Sequence, residues 1–405
     1  MELWYPPSAW ERIMKIQEVF QRAEHDSITW NEAAEILGVD PRTVSRWKNV
    51  VEEDGFPALL DKRAKRPSPK RAAHVDRTRV LQLYRELYFQ WNVKHFHEQL
   101  KKHRLSYSYT WTKNLLQEAG LVDKTRKRDK HRKRRPRKPL VGMMLHIDGS
   151  EHAWIPGLKG HQTLMAVMDD ADNHCHYAKL VQEENTRESM LALRYAVQTK
   201  GLFCSVYSDR ASHFFHTPKT GGKVDLGSLT QVGRAMYELG IEMIPGYSPQ
   251  ARGRGERFFG TWQGRLPNEL KLHGIKTMPD ANQYVQESFL SWYNRSLTVE
   301  PEQKGSAFTP CHRKDLDHVF CVKEQRIVNH DNTVQWKKLL LQIEPSELRI
   351  SFAKCRVIVC EHLDGTISVL YGQHVLGRYT AQGEPLNLKK RTNHLLPKAD
   401  ILISY

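Results

Sequence analysis

Between Trp4 and about Leu60 the apolar residues recur at helical spacing, and Ser27 to Trp47 reads as two helices joined by a tight turn. Ala34 is small where those helices would touch, and Gly38 can take the positive φ that the turn needs. Asp40 and Pro41 open the second helix as its cap and its first-turn residue. Val44 and Trp47 fall on the inward face, which leaves Arg42, Thr43, Ser45, Arg46 and Lys48 outward. A helix that offers such a face after a turn suits the major groove of DNA. A plain helical hairpin would share the outline, but the small residue, the glycine and the apolar positions agree on the helix-turn-helix form.

Helical patterns return at Val80–Trp91, Asn92–His103 and Tyr107–Glu118, with Val93, Phe96, Leu100, Trp111, Leu115 and Leu116 inward. They fit a second helix-turn-helix unit or a generic three-helix bundle equally well. The texture changes at Val141. Apolar runs of strand length occupy Met143–Asp148, Thr163–Asp169 and Tyr177–Val181, followed by a helix over about Thr186–Thr199 and a strand at Phe203–Asp209. A helix at about Leu229–Leu239, a strand at Ile241–Pro245 and a long helix from Pro249 into the 270s complete the order βββαβαβα, and one more helix spans about Asp280–Ser296. A meander that passes into alternating helices and strands predicts a mixed five-stranded sheet with helices on its faces. From about Phe320, short runs at Arg326–Asn329, Val334–Leu341, Arg356–Cys360, Thr366–Tyr371 and Val375–Tyr379, with a hairpin signal at Asp364-Gly365, predict a small β-barrel.

Charge sharpens this outline. The net charge is +16, yet residues 1–60 hold 6 basic and 11 acidic groups, whereas residues 61–140 hold 25 basic and 7 acidic, a balance of +18. Lys62–Arg71 is a proline-rich basic linker, and eleven of the fifteen residues in Lys124–Lys138, among them Arg132, Lys133, Arg134 and Arg135, are Lys or Arg. Such a run cannot bury itself; placed between helical units and an α/β core, it is expected to follow phosphates in a sequence-independent way. The six cysteines form no paired ligand spacing and are expected to be free thiols. No apolar stretch reaches the roughly 18–20 residues of a membrane span. Met1–Trp10 lacks the features of a signal peptide, so a soluble cytoplasmic, nucleoid-associated protein is expected.

Candidate chemistry collects at strand ends. Asp148 ends the first core strand and Asp209 the fourth, so adjacent parallel strands would set their carboxylates side by side. Glu256 lies on the helix after the fifth strand, just past the Arg/Gly-rich run that contains Arg252 and Arg254, with Arg257 following. Converging carboxylates suit hard divalent ions such as Mg²⁺, which can activate a nucleophile and stabilise a leaving oxygen in phosphoryl displacement. Asp169 and Asp170 are expected to cap a turn, Glu183 and Glu184 to favour a helix start, and His174, His176, His213 and His216 to lie in polar loops rather than bind zinc. Arg252, Arg254 and Arg257 are expected to hold phosphates or to balance Glu256.

The segments His146-Ile-Asp148-Gly-Ser, Tyr207-Ser-Asp209-Arg and Ser248-Pro-Gln-Ala-Arg-Gly-Arg-Gly-Glu256-Arg-Phe resemble the three acidic motifs of DDE transposases with an RNase H-like, retroviral-integrase-type core. More narrowly, the chain resembles bacterial insertion-sequence transposases of the ISNCY kind. That resemblance implies a catalytic and metal-binding triad of Asp148, Asp209 and Glu256, with 46 residues between the last two, working with two Mg²⁺ or Mn²⁺ ions. The chain departs from commoner relatives by having Arg210-Ala-Ser after the second acid and Gly255 before the third.

The implied organisation is a helix-turn-helix domain at 1–62, a second helical DNA-binding domain at 63–122, a basic linker at 123–139, the RNase H-like core at 140–300 and the β-barrel with its tail at 301–405. The implied partners are double-stranded DNA (terminal inverted repeats and target) and a second copy of the chain, as a dimer or higher oligomer; no membrane is implied. Two rival readings remain at this stage. One is a non-catalytic DNA-binding regulator, and the other is a nuclease that cuts without joining.

Overall fold

A computed structural model describes residues 7–60, 72–124, 135–219, 222–247 and 249–386, the side chains of 249–252 excepted. It divides into two compact units, Met1–Gln82 and Leu83–Tyr405. Among the described residues no helix is long and apolar enough to cross a membrane.

The first unit contains α1 (Pro7–Glu24), α2 (Trp30–Leu37) and α3 (Pro41–Asp54), and the start of α4 (His74–Glu86), which runs on into the second. Thr29 caps α2 reciprocally: its Oγ1 accepts from the Glu32 N–H at 3.2 Å, and the Glu32 carboxylate accepts from the Thr29 N–H at 2.7 Å. Gly38 closes α2 with φ 64°, and Asp40 caps α3 by accepting from the Arg42 N–H at 2.8 Å. Ile13, Ile16, Phe20, Ala34, Val44 and Leu60 share one buried cluster, against which Trp47 packs. The turn, the cap and the inward face are those the sequence predicts.

In the second unit α5 (Val93–Leu100) and α6 (Tyr109–Glu118) follow the end of α4. The core begins with β1 (Leu145–His152), β2 (Gln162–Asp169) and β3 (Cys175–Val181). After these come α7 (Thr186–Lys200), β4 (Ser205–Ser208), α8 (Gln231–Glu238), β5 (Glu242–Pro245) and α9 (Pro249–Gln263). The sheet order is β3-β2-β1-β4-β5, with β1, β2 and β3 antiparallel and β4 parallel to both β1 and β5. Alternation along β1 and β2 separates two cores. Leu145, Ile147, Met165 and Val167 meet α7 and α8 on one face; Leu164, Ala166 and Met168 meet α9 and the helices after it on the other.

The expected long helix breaks after α9. Arg265, at φ −132°, and Pro267 start a separate α10 (Leu266–Leu272). The helix expected over Asp280–Ser296 is also divided, into α11 (Met278–Tyr284), a π turn (Val285–Phe289) and α12 (Leu290–Leu297). Here α5 docks on α10: His95 Nε2 lies 2.6 Å from the Glu269 carboxylate, Gln99 donates to it at 3.0 Å, and Arg265 donates to Glu98 at 2.7 Å.

After the short α13 (Leu316–Val319) come β6 (Cys321–Ile327), β7 (Thr333–Trp336), β8 (Leu339–Gln342), β9 (Arg356–His362), β10 (Ile367–Tyr371) and β11 (His374–Tyr379). The expected barrel does not close among the described residues. The ladders form a four-stranded sheet, β11-β10-β9-β6, and a separate β7–β8 hairpin, because Lys337 takes φ 52° and turns the run predicted as one strand back on itself. The two layers share a core of Val334, Trp336, Leu341, Val357, Val359, Ile367 and Val369. Side chains bridge them where a closed barrel would have ladder bonds: Tyr379 donates to the Gln342 carbonyl at 2.6 Å, and Asn332 accepts from the Phe352 N–H at 2.7 Å.

A buried and a half-buried imidazole give the second unit an acid-sensitive fold. Burial, helped by neighbouring positive charge, pushes His174 and His318 each down to about 4. The unfolded chain therefore binds more protons between about pH 6.5 and pH 4. The melting temperature should fall as pH drops through that window, as calorimetry at stepped pH would show, and His318→Gln should flatten the slope.

Candidate active site

The β1–β4 register brings the two aspartates together. Leu145 pairs with Val206 and His146 with Tyr207. Asp148 follows His146 by two residues in β1, and Asp209 follows Tyr207 by two, one residue past the end of β4, so the same register continued would bring them side by side. Matched positions on parallel neighbours project to one face, about 5 Å apart at their Cα atoms. That face is the one α9 covers. Asp148 and Asp209 line a single cavity of about 20 Å³ with His146, Ala166, Ser208, Gly255 and Phe258. It has room for about one water-sized body.

Both carboxylates are oriented locally, Asp209 by accepting from the Ala211 N–H at 2.9 Å and Asp148 by accepting from the Gly149 N–H at 3.0 Å. Both are half-buried.

Glu256 sits differently. It is exposed, while the preceding Gly255 is buried and lines the cavity. A Cβ added to Gly255 would stand 3.5 Å from Asp148 Oδ2, in ordinary van der Waals contact, so α9 runs close to that carboxylate. Gly253, Gly255 and Gly260 all lie within α9. Each costs about 1 kcal/mol of helix propensity relative to Ala, so α9 depends on tertiary contacts for its place. Gly255→Val sets two further methyl groups at the lining of the cavity beside Asp148 and should lower turnover more than Gly255→Ala, which activity with circular dichroism as a folding control would show.

Behind the cavity is a buried anchor. The Asp170 side chain is fully buried; it accepts from His146 Nε2 at 2.7 Å, Arg135 Nη2 at 2.5 Å and the Lys138 N–H at 2.7 Å, and also from Arg254. Burial pushes its carboxyl up. The hydrogen bond and charge of His146, the Lys138 N–H and Arg254 outweigh this and hold it well below the usual carboxylate range. Arg137 donates to the Asp170 and Ala171 carbonyls and to the Asn173 side chain. Asp169 caps the turn, accepting from the Ala171 N–H at 2.8 Å and the Gly142 N–H at 2.7 Å. At Gly142 the φ is 80°, and a Cβ would meet the Phe308 backbone at 2.8 Å, so glycine is required there.

The other expected site residues are placed as follows. Arg42, Ser45 and Arg46 are exposed on α3 and Thr43 is half-buried. Lys48 lies 4.8 Å over the Trp30 ring and 3.9 Å from Glu52. Arg132, Lys133, Arg134 and the Arg252 side chain lie outside the described residues. Arg257 is exposed, whereas Arg135 and Arg254 are committed to Asp170 rather than to Glu256.

The histidines expected in polar loops are elsewhere in part. His176 is a buried residue of β3, and His213 lies 3.1 Å from Glu184, whose carboxylate occupies the space a side chain at Gly149 would need. Among the described residues no three His, Cys, Asp or Glu side chains are grouped as metal ligands, so Glu256 is not brought together with Asp148 and Asp209. His146 and Asp170 are the participants sequence reading left out. The available signal was a histidine two residues before Asp148, on the same strand face.

A divalent ion is compatible with what is present. The pair Asp148 and Asp209 offers only oxygen ligands around a water-sized space, and Mg²⁺ is commonly held by one or two carboxylates with waters and substrate phosphates.

A helix-turn-helix domain model matches residues 16–68. The chain is 29% identical over 369 residues to the "Putative transposase y4bF" of Sinorhizobium fredii, covering 90% of this chain and 80% of that one. It is 24% identical over 277 residues to the transposase for insertion sequence IS1202 of Streptococcus pneumoniae, covering 65% of this chain and 58% of the relative. Among solved structures it is similar to the integrase catalytic core domain of HTLV-2 in complex with magnesium, at 15% identity and a TM-score of 0.29, over 40% of this chain and 93% of the other. Over most of its length the chain is thus similar to insertion-sequence transposases, with a helix-turn-helix at its N-terminus and a mixed five-stranded sheet after it.

Proposed function

We propose that the chain is a DNA transposase that cleaves a phosphodiester at each end of its element and joins the freed 3′-hydroxyl to target DNA. The observation that supports this reading is that Asp148, from β1, and Asp209, just after β4, line one cavity at the end of two parallel neighbouring strands. In this reading Asp148 and Asp209 hold divalent ions, two during the reaction, and Glu256 completes the ligand set. The ions, when bound, would supply charge stabilisation to the attacking and leaving oxygens.

The chain's own groups do the rest. The two aspartates keep their carboxylates aimed at the cavity through backbone N–H donors, and Gly255 of α9 lines its other side. Phe258 and Phe259 form an apolar wall that limits water access. Arg42, Thr43, Ser45, Arg46 and Lys48 on α3 would read the terminal inverted repeats, while the basic run before the core follows phosphates. Arg257 stands exposed one residue after Glu256 and would meet a phosphate there. Holding two ends at once calls for at least a dimer during reaction.

The test is a joining assay with purified chain, labelled terminal-repeat DNA, a plasmid target and Mg²⁺. Joined product that disappears with EDTA supports the proposal. Cleavage without joining would make the protein a nuclease, and tight binding without either reaction would make it a regulator.

A further inference from the structure

Three parts of the second unit meet on the Asp170 carboxylate. His146 reaches it from β1, two residues before Asp148. Arg254 reaches it from α9, two residues before Glu256. Arg135 and the Lys138 N–H reach it from the segment that leads into the core, and Arg254 also donates to the Arg135 carbonyl at 2.9 Å. This is a buried acid shared by two guanidiniums, a geometry in which removal of one partner is felt by the others.

The α9 segment it holds carries Gly253 and Gly255 and has little helix propensity of its own. A single buried ion pair close to Glu256 can therefore decide where that stretch sits.

We infer that Asp170 is a positioning residue: through Arg254 it seats the glycine-rich part of α9 against β1, and so sets where Glu256 stands relative to Asp148 and Asp209. Arg254 then acts inside the protein and not as a phosphate contact. Arg135 shares the same carboxylate, so the end of the basic run is fixed to the helix that carries the third acid. The inference rests on the proposed roles of Asp148, Asp209 and Glu256. Its first readout does not involve catalysis, so its failure can be told apart from failure of that reading.

The experiment is amide hydrogen exchange on the full chain, comparing wild type with Arg254→Leu and Arg254→Lys, followed by steady-state joining kinetics on the same proteins. Arg254→Leu should raise exchange at Gly255–Gln263 by about tenfold or more and leave β1 and β2 unchanged. Arg254→Lys, which keeps a charge for Asp170, should recover part of the protection. In the kinetics Arg254→Leu should lower kcat by about tenfold or more, with KM for DNA within about twofold. Asp170→Asn combined with Arg254→Leu should be no worse in kcat than Asp170→Asn alone, because the two side chains act as one unit.

The opposite pattern overturns the inference. If exchange in α9 is unchanged while KM for DNA rises and its salt dependence weakens, Arg254 is a phosphate contact. Unchanged exchange with unchanged kinetics, or strictly additive losses in the double variant, would also refute it.

Discussion

Asp209→Asn is expected to leave DNA binding intact and to reduce cleavage and joining by on the order of 10³-fold. Divalent ions contribute several kcal/mol to charge stabilisation in phosphoryl transfer, and each 1.36 kcal/mol is a factor of ten. Asn keeps the shape of the side chain and its acceptor oxygen, so the turn made with the Ala211 N–H can persist. What it removes is the negative charge that the register places next to Asp148. Asp148→Asn should have a loss of the same order. The double variant should be little worse than either single change, because the carboxylates act as a unit. Band-shift and joining assays on the same preparations would separate binding from chemistry. A chain whose joining survives either substitution does not use this pair.

The second large effect is on stability. Asp170→Asn removes a fully buried charge and leaves Arg135 and Arg254 without their shared counter-ion. Breaking a buried pair in this way costs about 3–5 kcal/mol, and in a unit of this size that lowers the melting temperature by roughly 10 °C.

The pH dependence has a definite sign. The Asp170 carboxyl is held well below its ordinary value, so its stabilising contribution is complete above the unfolded value of about 3.9 and is lost as pH falls from there toward the folded value. The gap between wild type and Asp170→Asn should stay constant above about pH 5 and narrow below about pH 4. Asp170→Asn with Arg254→Leu should recover part of the loss by removing a stranded cation. Thermal melts of the three proteins across pH would show both trends.

Much of this was legible from residue order because the relevant physics is local. Thr29, Gly38, Asp40 and Pro41 specify the ends of α2 and α3 through caps and a left-handed turn, whatever surrounds them. The βββαβαβα order likewise showed which strand ends carry acids, while the parallel pairing of β1 with β4 is seen only in the fold.

What was not legible depends on contacts distant in sequence. Asp170 looks like a turn residue beside Asp169, and only the fold brings Arg135, His146 and Arg254 onto it. Nor does helical periodicity reveal that Arg254 turns inward while Glu256 faces solvent, because Gly253 and Gly255 leave that part of α9 with little pattern to read. The β7–β8 hairpin was hidden for a different reason. Lys337 and Lys338 interrupt a continuous apolar run without any glycine, asparagine or proline, and the turn is made by a lysine in left-handed backbone. With that hairpin counted as one strand, a closed barrel was the natural expectation.

The central claim is that Asp148 and Asp209 form a divalent-metal site. The most direct measurement is an anomalous difference map from crystals of the chain grown with terminal-repeat DNA and Mn²⁺. The expected result is a Mn²⁺ peak within coordination distance of the Asp148 and Asp209 carboxylates, absent in Asp209→Asn crystals grown the same way. A map with both carboxylates ordered and no peak between them, or with Mn²⁺ bound only elsewhere, would contradict it.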